Sequence, residues 1–306
     1  MGRERLGLIY TLCAVAGYAF LPIFAAGLRG SGIEPLEIAF FRYLFTVPIF
    51  WLITLRTARS VTGKPLPRKW LFLLGFLLAT EALASFIGLQ YLSPGIYLVL
   101  YYTFPAMTAI LSLFLGERLG IIGWAALVVT LVGVSLTIAD LSVNVGEGVW
   151  FGVACALVNA ALASVYFVVM ERLLRGHTET VRAGAFMVSG SLVFLTFLTG
   201  IKGLTGTITI PTGIESWSAL FGLVVVSTVM PIFMLNKGIQ AAGASRSAIF
   251  GTVEPLMTAV LAQLILGITM QPIQWVGGLL VVFSVILLQL RGSNAVTTPD
   301  PIPAVS

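Results

Sequence analysis

The sequence predicts an all-α integral membrane protein with about ten transmembrane helices, arranged as two inverted five-helix repeats. Three observations lead to this prediction. The 306-residue chain is 58% hydrophobic and only 9% charged, with a mean hydropathy of +1.03, whereas a soluble domain has roughly 25% charged residues. Apolar runs of membrane-spanning length follow one another with short connections. The two halves of the chain also resemble each other in sequence.

Charges, glycines and prolines divide the chain into ten apolar runs, each near the roughly 20 residues that a bilayer core requires. The first has full span length and no small-x-small cleavage site after it, so we interpret it as a retained helix rather than a signal peptide. The prolines after Ser293 predict a disordered tail over 293–306. The runs cover about residues 6–27, 34–55, 69–90, 95–115, 121–140, 149–171, 182–202, 214–236, 244–266 and 271–290.

An internal repeat sets the predicted domain organisation, with a first copy over residues 1–145 and a second over 146–292. Because each copy crosses the membrane an odd number of times, the second copy is inverted relative to the first. Inverted repeats are typical of secondary transporters, whose site lies between the halves near the bilayer midplane. The aligned pairs include Gln90 and Gln240, Pro105 and Pro255, Thr108 and Thr258, Trp70 and Trp217, and Trp124 and Trp275.

Positive charges predict the orientation. If the N-terminus is cytoplasmic, 14 of the 17 lysines and arginines fall on the inner side. Only Arg29 and Lys202 fall outside, and Arg42 lies within a helix. The positive-inside rule therefore predicts that both termini are cytoplasmic. The net charge of +5 is spread over these connections and forms no basic helix, so we expect no nucleic-acid partner.

Three ionisable side chains fall inside predicted helices: Glu81 and Glu254 near mid-helix, and Arg42 about eight residues into the second run. At mid-membrane each costs roughly 2.5–3.5 kcal/mol or more, so each should face the bundle interior or pair. We interpret the two carboxyl groups as candidates for proton coupling or for binding a substrate amine. The alternatives are that Glu254 satisfies backbone groups around its own proline, and that Arg42 pairs with a carboxylate such as Glu37 or caps a carbonyl.

Tyrosines and small polar residues occur on the same helices as these charges. A tyrosine wall in an apolar cavity suits an amphipathic ligand and a cation–π contact with an ammonium group. The alternatives are an interfacial position for Tyr97 and, for Tyr101 and Tyr102, hydroxyls that bond a kinked helix. The predicted cavity residues are Arg42, Glu81, Ser85, Tyr97, Tyr101, Tyr102, Asn159 and Glu254.

Two prolines near mid-helix, Pro105 and Pro255, occupy matching positions in the two copies. A proline inside a helix removes one hydrogen bond and displaces the carbonyl four residues back, here those of Tyr101 and Gly251. In lipid such a carbonyl must face protein or a wet cavity. We therefore predict hinges at both prolines, with Pro231 as a third. The alternative is that prolines are simply frequent in membrane helices.

Motifs of other function classes are missing from the sequence, which has no phosphate-binding loop, nucleophile elbow, zinc-ligand pair or dinucleotide fingerprint. Cys13 and Cys155 have neither disulfide nor metal-ligand spacing and are predicted to be packed thiols. His177, the single histidine, lies in a charged loop. We expect no catalytic residue, cofactor or metal. An intramembrane enzyme would need paired acidic or His/Ser groups, and the predicted helices contain only isolated carboxylates and no histidine. A structural protein would not need the mid-membrane charges that this sequence has.

Several motifs resemble the repeated domain of the drug/metabolite transporter superfamily, in its EamA-like ten-helix branch. The resemblance covers nearly the whole helical region, in two copies. The second copy has Leu266-Gly267-Ile268-Thr269 where the first has Leu-Gly-Glu-Arg, so we interpret Glu117 as a structural loop residue. The motifs are Thr103-Phe104-Pro105, Leu115-Gly116-Glu117-Arg118, Gly123-Trp124, Gly133 and Glu254-Pro255.

This resemblance implies an exporter of small metabolites in a bacterial inner membrane, which works by alternating access around a midplane cavity. Among the family's substrates we favour amino acids of the aromatic or large neutral type, because carboxylates and tyrosines suit an ammonium group and an apolar side chain. The alternative is efflux of lipophilic cationic drugs. The expected partners are a small-molecule substrate, the lipid bilayer and a coupled proton, and the expected oligomeric state is a monomer.

Overall fold

The computed structural model describes residues 3–57, 65–114, 120–139, 148–174, 179–242 and 250–295. Within these ranges the backbone forms helices joined by turns and contains no β-strand, so the predicted all-α class is confirmed. The elements are α1 (Arg3–Ala19), α2 (Leu21–Gly30), α3 (Pro35–Thr57), α4 (Arg68–Gly88), α5 (Pro94–Tyr101), α6 (Phe104–Phe114), α7 (Ile121–Ala139), α8 (Val149–Leu174), α9 (Thr180–Thr205), α10 (Gly213–Phe221), a π-helical segment (Gly222–Val229), α11 (Met230–Ala242), α12 (Glu254–Leu266) and α13 (Pro272–Ala295).

These elements form ten apolar spans at the ten predicted runs. Seven are long and apolar enough to cross a membrane, and three are shorter, at Ile121–Thr137, Glu254–Leu266 and Pro272–Leu288. In chain order, spans 1 to 10 are α1 with α2; α3; α4; α5 with α6; α7; α8; α9; α10 with the π-helical segment and α11; α12; and α13. Large apolar side chains such as Leu55, Phe114 and Leu264 stay exposed, as a lipid-facing surface requires. The chain is a multi-pass membrane protein.

The packing of the spans follows the internal repeat, in which span 1 corresponds to span 6, span 2 to span 7, and so on. Span 3 packs against span 6, and span 8 packs against span 1, which is the same pairing after the halves are exchanged. Spans 2 and 7, 4 and 9, and 5 and 10 each pair with their own repeat mate. This exchange is the pairing pattern that a pseudo-two-fold relation between the two repeats gives.

Spans 4 and 9 are interrupted at matching positions. In span 4, α5 ends at Tyr101 and α6 starts at Phe104; in span 9, a turn at residues 252–253 precedes the start of α12 at Glu254. Pro105 and Pro255 are the second residues of the new helices, where a missing N–H leaves no helical bond unmade. Both predicted proline kinks are therefore complete breaks in the helix.

Span 1 also breaks, although the sequence predicts one helix over residues 6–27. The break lies at Phe20, and α2 begins at Leu21 with Pro22 in its first turn. Because proline has no N–H to donate to a preceding turn, it favours a new helix start over continuation. Pro22 is therefore the sequence signal for this break, although the run 6–27 is long enough for one continuous helix.

Span 8 contains a π-helical segment that was not predicted within the run 214–236. The Thr228 hydroxyl donates to the carbonyl of Leu223, five residues back, at 2.7 Å. The segment ends at Val229, two residues before the buried Pro231. A wide turn next to a proline is a common way for a helix to accommodate the lost bond. The predicted flexible point at Pro231 thus adjoins an irregular helix.

Spans 3 and 7 touch backbone to backbone through small residues. A side-chain carbon added at Gly190 would overlap the carbonyl of Phe72, and one added at Gly75 would overlap the carbonyl of Met187. The Ser191 hydroxyl donates to the Gly75 carbonyl at 2.7 Å. Close approach of small residues is the main source of helix association in lipid, where apolar burial gives no net driving force.

The structure corrects the prediction for one of the two cysteines and extends the last helix beyond its predicted end. Cys155 is half-buried, but Cys13 is exposed, and both are free. The packed-thiol prediction is wrong for Cys13 because the packed face of α1 runs through Thr11, Ala14 and Val15 instead. Helix α13 continues to Ala295. His177, Glu117 and residues 296–306 of the predicted tail lie outside the described residues.

Gly190→Val is expected to destabilise the protein by about 2–3 kcal/mol or more, because the neighbouring backbone of α4 cannot move aside. Gly200→Val is the matched control, since it makes the same change on α9 at a position with nothing within 4 Å. Thermal unfolding followed by size-exclusion chromatography in detergent measures the difference. Equal melting temperatures for the two variants would contradict the backbone contact.

Candidate functional site

The two helix breaks meet at a hydrogen-bonded bridge between the halves. The Tyr102 hydroxyl, at the break in span 4, lies 2.8 Å from Glu254 Oε2 and 3.0 Å from the carbonyl oxygen of Gly251, both at the break in span 9. The Gly251 carbonyl is one of the two that the prolines were predicted to displace. Its partner is therefore a side chain from the other repeat.

The bridge has a simple proton chemistry. A tyrosine hydroxyl has one proton to donate and can also accept. If the Glu254 carboxyl is protonated, it can donate to Tyr102 while Tyr102 donates to the Gly251 carbonyl. If the carboxyl is ionised, the one hydroxyl proton of Tyr102 can be donated either to the carboxylate or to the Gly251 carbonyl. One of the two contacts then has no proton in it. The protonation state of Glu254 therefore changes the bonds that join spans 4 and 9.

Glu81 lies on α4 and is half-buried. Its Oε1 is buried and has no hydrogen-bond partner among the described residues. The hydroxyls of Tyr43, Tyr101 and Tyr166 lie within electrostatic range of this carboxyl group. Glu81 therefore faces the same interior region as the tyrosines of spans 2, 4 and 6.

Arg42 lies on α3, where its Nε donates to the Thr228 hydroxyl of the π-helical segment at 3.0 Å. Its guanidinium carbon lies 5.6 Å from the ring centroid of Tyr43 and 5.9 Å from that of Phe86. Among the described residues it forms no ion pair, and the predicted alternative of pairing with Glu37 is wrong. Glu37 is fully buried and pairs with Lys202 instead. Glu37 lies in the first turn of α3, about a turn and a half before Arg42, and Lys202 lies in the last turn of α9.

Tyrosines lie within electrostatic range of all three charged groups. Tyr18 lies within electrostatic range of both Arg42 and Glu254, and Tyr101 within range of both Glu81 and Glu254. Tyr18 and Tyr101 retain partly accessible side chains. The structure therefore brings Arg42, Glu81, Glu254, Tyr101 and Tyr102 of the predicted set into one region.

An aromatic panel adjoins this region. The Phe104 ring stacks on that of Phe167 at 5.0 Å between centroids and lies 5.4 Å from the ring of Tyr101 and 5.8 Å from that of Tyr102. These rings offer an apolar surface next to the charged groups, as an amphipathic ligand requires.

Tyr97 and Asn159 have a different setting from the other predicted residues. They are 1% and 4% exposed, and the Asn159 side-chain amide donates to the Tyr97 hydroxyl at 2.8 Å. Ser85 lies next to the same hydroxyl. Tyr97 is thus not an interfacial residue. With Asn159 it joins spans 4 and 6 behind the partly accessible tyrosines.

A second polar cluster joins the halves at the face predicted to be outer. Lys202 on α9 pairs with Glu37 and, at 2.9 Å, with Glu34. The Thr209 backbone N–H also donates to Glu37 at 3.4 Å. Lys202 belongs to the second repeat and the two carboxylates to the first. The cluster therefore ties the ends of spans 2 and 7 together.

Sequence reasoning missed four residues of this site: Tyr18, Tyr43, Tyr166 and Thr228. Each is a polar residue inside an apolar run, and this signal could have identified them. Their proximity to the charged groups depends on which helix faces cross, which one sequence does not reveal. No group of three His, Cys, Asp or Glu side chains suited to a metal occurs in the described part of the chain.

Comparison with known proteins finds one matching family profile and relatives that are named as transporters. The profile of the EamA-like transporter family matches residues 5–139 and again residues 150–290. The chain is 25% identical over 277 residues to the "Uncharacterized transporter YcbK" of Bacillus subtilis (strain 168), covering 89% of this chain and 88% of that one. It is 31% identical over 224 residues to the "Uncharacterized inner membrane transporter YicL" of Salmonella typhimurium, covering 71% of this chain and 68% of that one.

A solved structure described only as the crystal structure of a protein has the same fold. It superposes with a TM-score of 0.63 at 18% sequence identity, over 94% of this chain and 98% of that chain. At this identity the likeness concerns the fold alone.

Tyr102→Phe and Glu254→Gln are expected to have non-additive effects on stability, because the two side chains share one hydrogen bond. A coupling energy of about 0.5–3 kcal/mol is typical of residues in direct contact. Thermal unfolding of the wild type, both single variants and the double variant measures it. Tyr91→Phe, on an exposed tyrosine, is the control and should add independently to Glu254→Gln. Additive effects for Tyr102 would contradict the bridge.

Proposed function

The chain belongs to the EamA-like transporter family, and we propose that it is a secondary carrier that exports amino acids of the aromatic or large neutral type. The observation that carries this proposal is the bridge from Tyr102 to Glu254 and Gly251, which joins the broken helices of the two repeats at their interface. A fold with paired broken helices at a two-fold axis supports alternating access around a midplane site.

The two repeats, over residues 1–145 and 146–292, rock against each other in this mechanism. Pro105, Pro255 and Pro231 provide the flexible points, since each lies at or beside an interruption of regular helix. The Lys202 cluster with Glu34 and Glu37 closes the predicted outer side. It must separate each time that side opens.

The choice of amino acids as substrate rests on the chemistry of the side chains that meet between the two halves. Carboxyl groups at Glu81 and Glu254 suit an ammonium group, and the rings of Tyr101, Tyr102 and Phe104 suit an apolar or aromatic side chain. Similarity to an inner membrane transporter supports a bacterial inner membrane, with both termini cytoplasmic as the lysines and arginines predict. The carrier works as a monomer, since both halves of the site come from one chain.

Proton coupling is assigned to Glu254, and the Tyr102 bridge supports this choice. When the Glu254 carboxyl takes up a proton, the Tyr102 hydroxyl no longer has to donate to it. That hydroxyl can then donate to the Gly251 carbonyl. The same groups connect spans 4 and 9, so the proton state and the relative position of the two halves are linked.

A second candidate function is efflux of lipophilic cations. The Oε1 of Glu81, which has no hydrogen-bond partner among the described residues and has three tyrosines within electrostatic range, favours it. In this alternative the carboxylate attracts the cation, and the aromatic rings bind its apolar body.

Purified protein in proteoliposomes is expected to show saturable counterflow of radiolabelled L-phenylalanine or leucine, accelerated by a pH gradient. Glu254→Gln should remove the gradient dependence while counterflow persists, because the side chain can no longer exchange a proton. Glu81→Gln should keep the gradient dependence. Counterflow of a cationic dye without any amino-acid counterflow would select the second candidate.

Pro105→Ala is expected to lower the transport rate several-fold while the protein stays folded, because a continuous span 4 resists the change of angle between its halves. Pro48→Ala is the matched control, since Pro48 lies inside α3 with an exposed side chain. Initial rates in proteoliposomes, normalised to the amount of monodisperse protein, compare them. Unchanged rates in Pro105→Ala would remove the hinge assignment.

A further inference from the structure

We propose that Arg42 and Glu81 divide the recognition of a zwitterionic α-amino acid between them, Arg42 binding the carboxylate and Glu81 the ammonium group. This inference rests on the proposed function as an amino-acid carrier and goes further. It names the two charged contacts and requires that a substrate present both charges at once.

Most N–H donors of Arg42 have no hydrogen-bond partner among the described residues. A guanidinium group has five N–H donors and stays charged in proteins. Only the Nε donor has a hydrogen-bond partner in the described part of the chain, the Thr228 hydroxyl. That bond, together with the rings of Tyr43 and Phe86 beside the guanidinium, fixes the plane of the group. The two terminal nitrogens remain, and they form the fork that binds a carboxylate in bidentate geometry.

Thr228 is itself held in place. Its hydroxyl proton is donated to the Leu223 carbonyl at 2.7 Å, so its oxygen is oriented to accept from Arg42. This arrangement depends on the π-helical turn, which places Thr228 and Leu223 five residues apart within bonding distance. The irregular helix of span 8 thus has a role in the site: it orients the arginine of span 2.

Glu81 lacks the partner that a buried carboxylate needs. Its Oε1 is buried without a hydrogen-bond donor, and it forms no ion pair with any described residue. An orphan acceptor in a membrane interior is costly unless a ligand, a water or a proton satisfies it. An ammonium group has three donors, and it would satisfy this oxygen directly.

The two groups face one region but do not pair with each other. The Arg42 guanidinium carbon lies 5.9 Å from the ring centroid of Phe86, which belongs to α4, the helix that carries Glu81. Opposite charges in an interior normally form a direct bridge, because isolated charges there are unfavourable. Here a positive and a negative group remain apart on spans 2 and 3. A ligand that carries an ammonium and a carboxylate group on the same carbon atom would supply a partner to both side chains at once.

This arrangement discriminates between substrate classes. A lipophilic cation would satisfy Glu81 but leave the Arg42 charge uncompensated, and an organic anion would do the reverse. A zwitterion compensates both and leaves the net charge of the site unchanged. Glu254, bonded to Tyr102, is then free to serve the coupling step rather than substrate binding.

Competition in L-phenylalanine counterflow tests the proposal on the full-length protein in proteoliposomes. Phenylalanine amide lacks the carboxylate, and N-acetylphenylalanine lacks the ammonium group. For the wild type we expect each analogue to inhibit at least about 30-fold more weakly than L-phenylalanine, since a site built for a charge rejects the ligand that lacks it.

Single substitutions should then change selectivity in opposite directions. Arg42→Gln should bring the amide within about threefold of L-phenylalanine and keep the discrimination against the N-acetyl compound. Glu81→Gln should bring N-acetylphenylalanine within about threefold of L-phenylalanine and keep the discrimination against the amide. Arg56→Gln on the same helix α3 and Glu215→Gln on α10, both exposed, are the matched controls and should keep both ratios. A merely structural role for Arg42 would lower all rates together and leave the ratios unchanged.

Equal inhibition by L-phenylalanine and its amide in the wild type would overturn the Arg42 assignment while the amino-acid carrier stands. Counterflow of a cationic dye without L-phenylalanine counterflow would overturn both the proposed function and this inference. If Arg42→Gln does not fold, Arg42→Lys replaces it. Lysine keeps the charge and loses the bidentate fork, so a reduced preference for L-phenylalanine over the amide supports the assignment and an unchanged one contradicts it.

Discussion

In the hydrocarbon core of a bilayer, every backbone N–H and C=O must find a partner within the protein or in a water-filled cavity. This constraint decides where the helices of this chain can be interrupted. The break in span 9 frees the Gly251 carbonyl, and the hydroxyl of Tyr102 from the other repeat satisfies it. The π-helical segment of span 8 uses Thr228 in the same way. Irregular backbone and polar side chains therefore occur together, between the halves, where both repeats can supply partners.

A second consequence concerns how the spans are held together. Lipid is as apolar as leucine, so burial of apolar side chains does little to join helices, and close backbone contact must do it. Spans 3 and 7 meet at Gly75 and Gly190, and spans 5 and 10 meet at Gly133 and Gly277. At both places a side-chain carbon in place of a glycine hydrogen would overlap the backbone of the other span.

The site residues illustrate how far one sequence leads. Glu81, Glu254 and Arg42 were identifiable because an ionisable residue in the middle of an apolar run is costly and needs a reason. Tyr101 and Tyr102 were predicted because tyrosines and small polar residues cluster on the same helices as these charges. Tyr97 and Asn159 turned out to be bonded to each other in the wall. Tyr18 and Thr228 were missed because their importance comes from helices distant in sequence, and the register of those contacts is not encoded locally.

The sequence by itself determined the membrane class, the ten spans, the two repeats and the symmetric breaks at Pro105 and Pro255. These follow from composition, run length and proline chemistry, which are local properties of the chain. Only the tertiary structure decided that Tyr102 bonds across to Glu254, that Glu37 pairs with Lys202 rather than with Arg42, and that Arg42 and Glu81 face one region without pairing. Those outcomes depend on the rotation and crossing of whole helices. Apolar runs that are hydrophobic on all sides leave that rotation open, and packing against the other repeat fixes it.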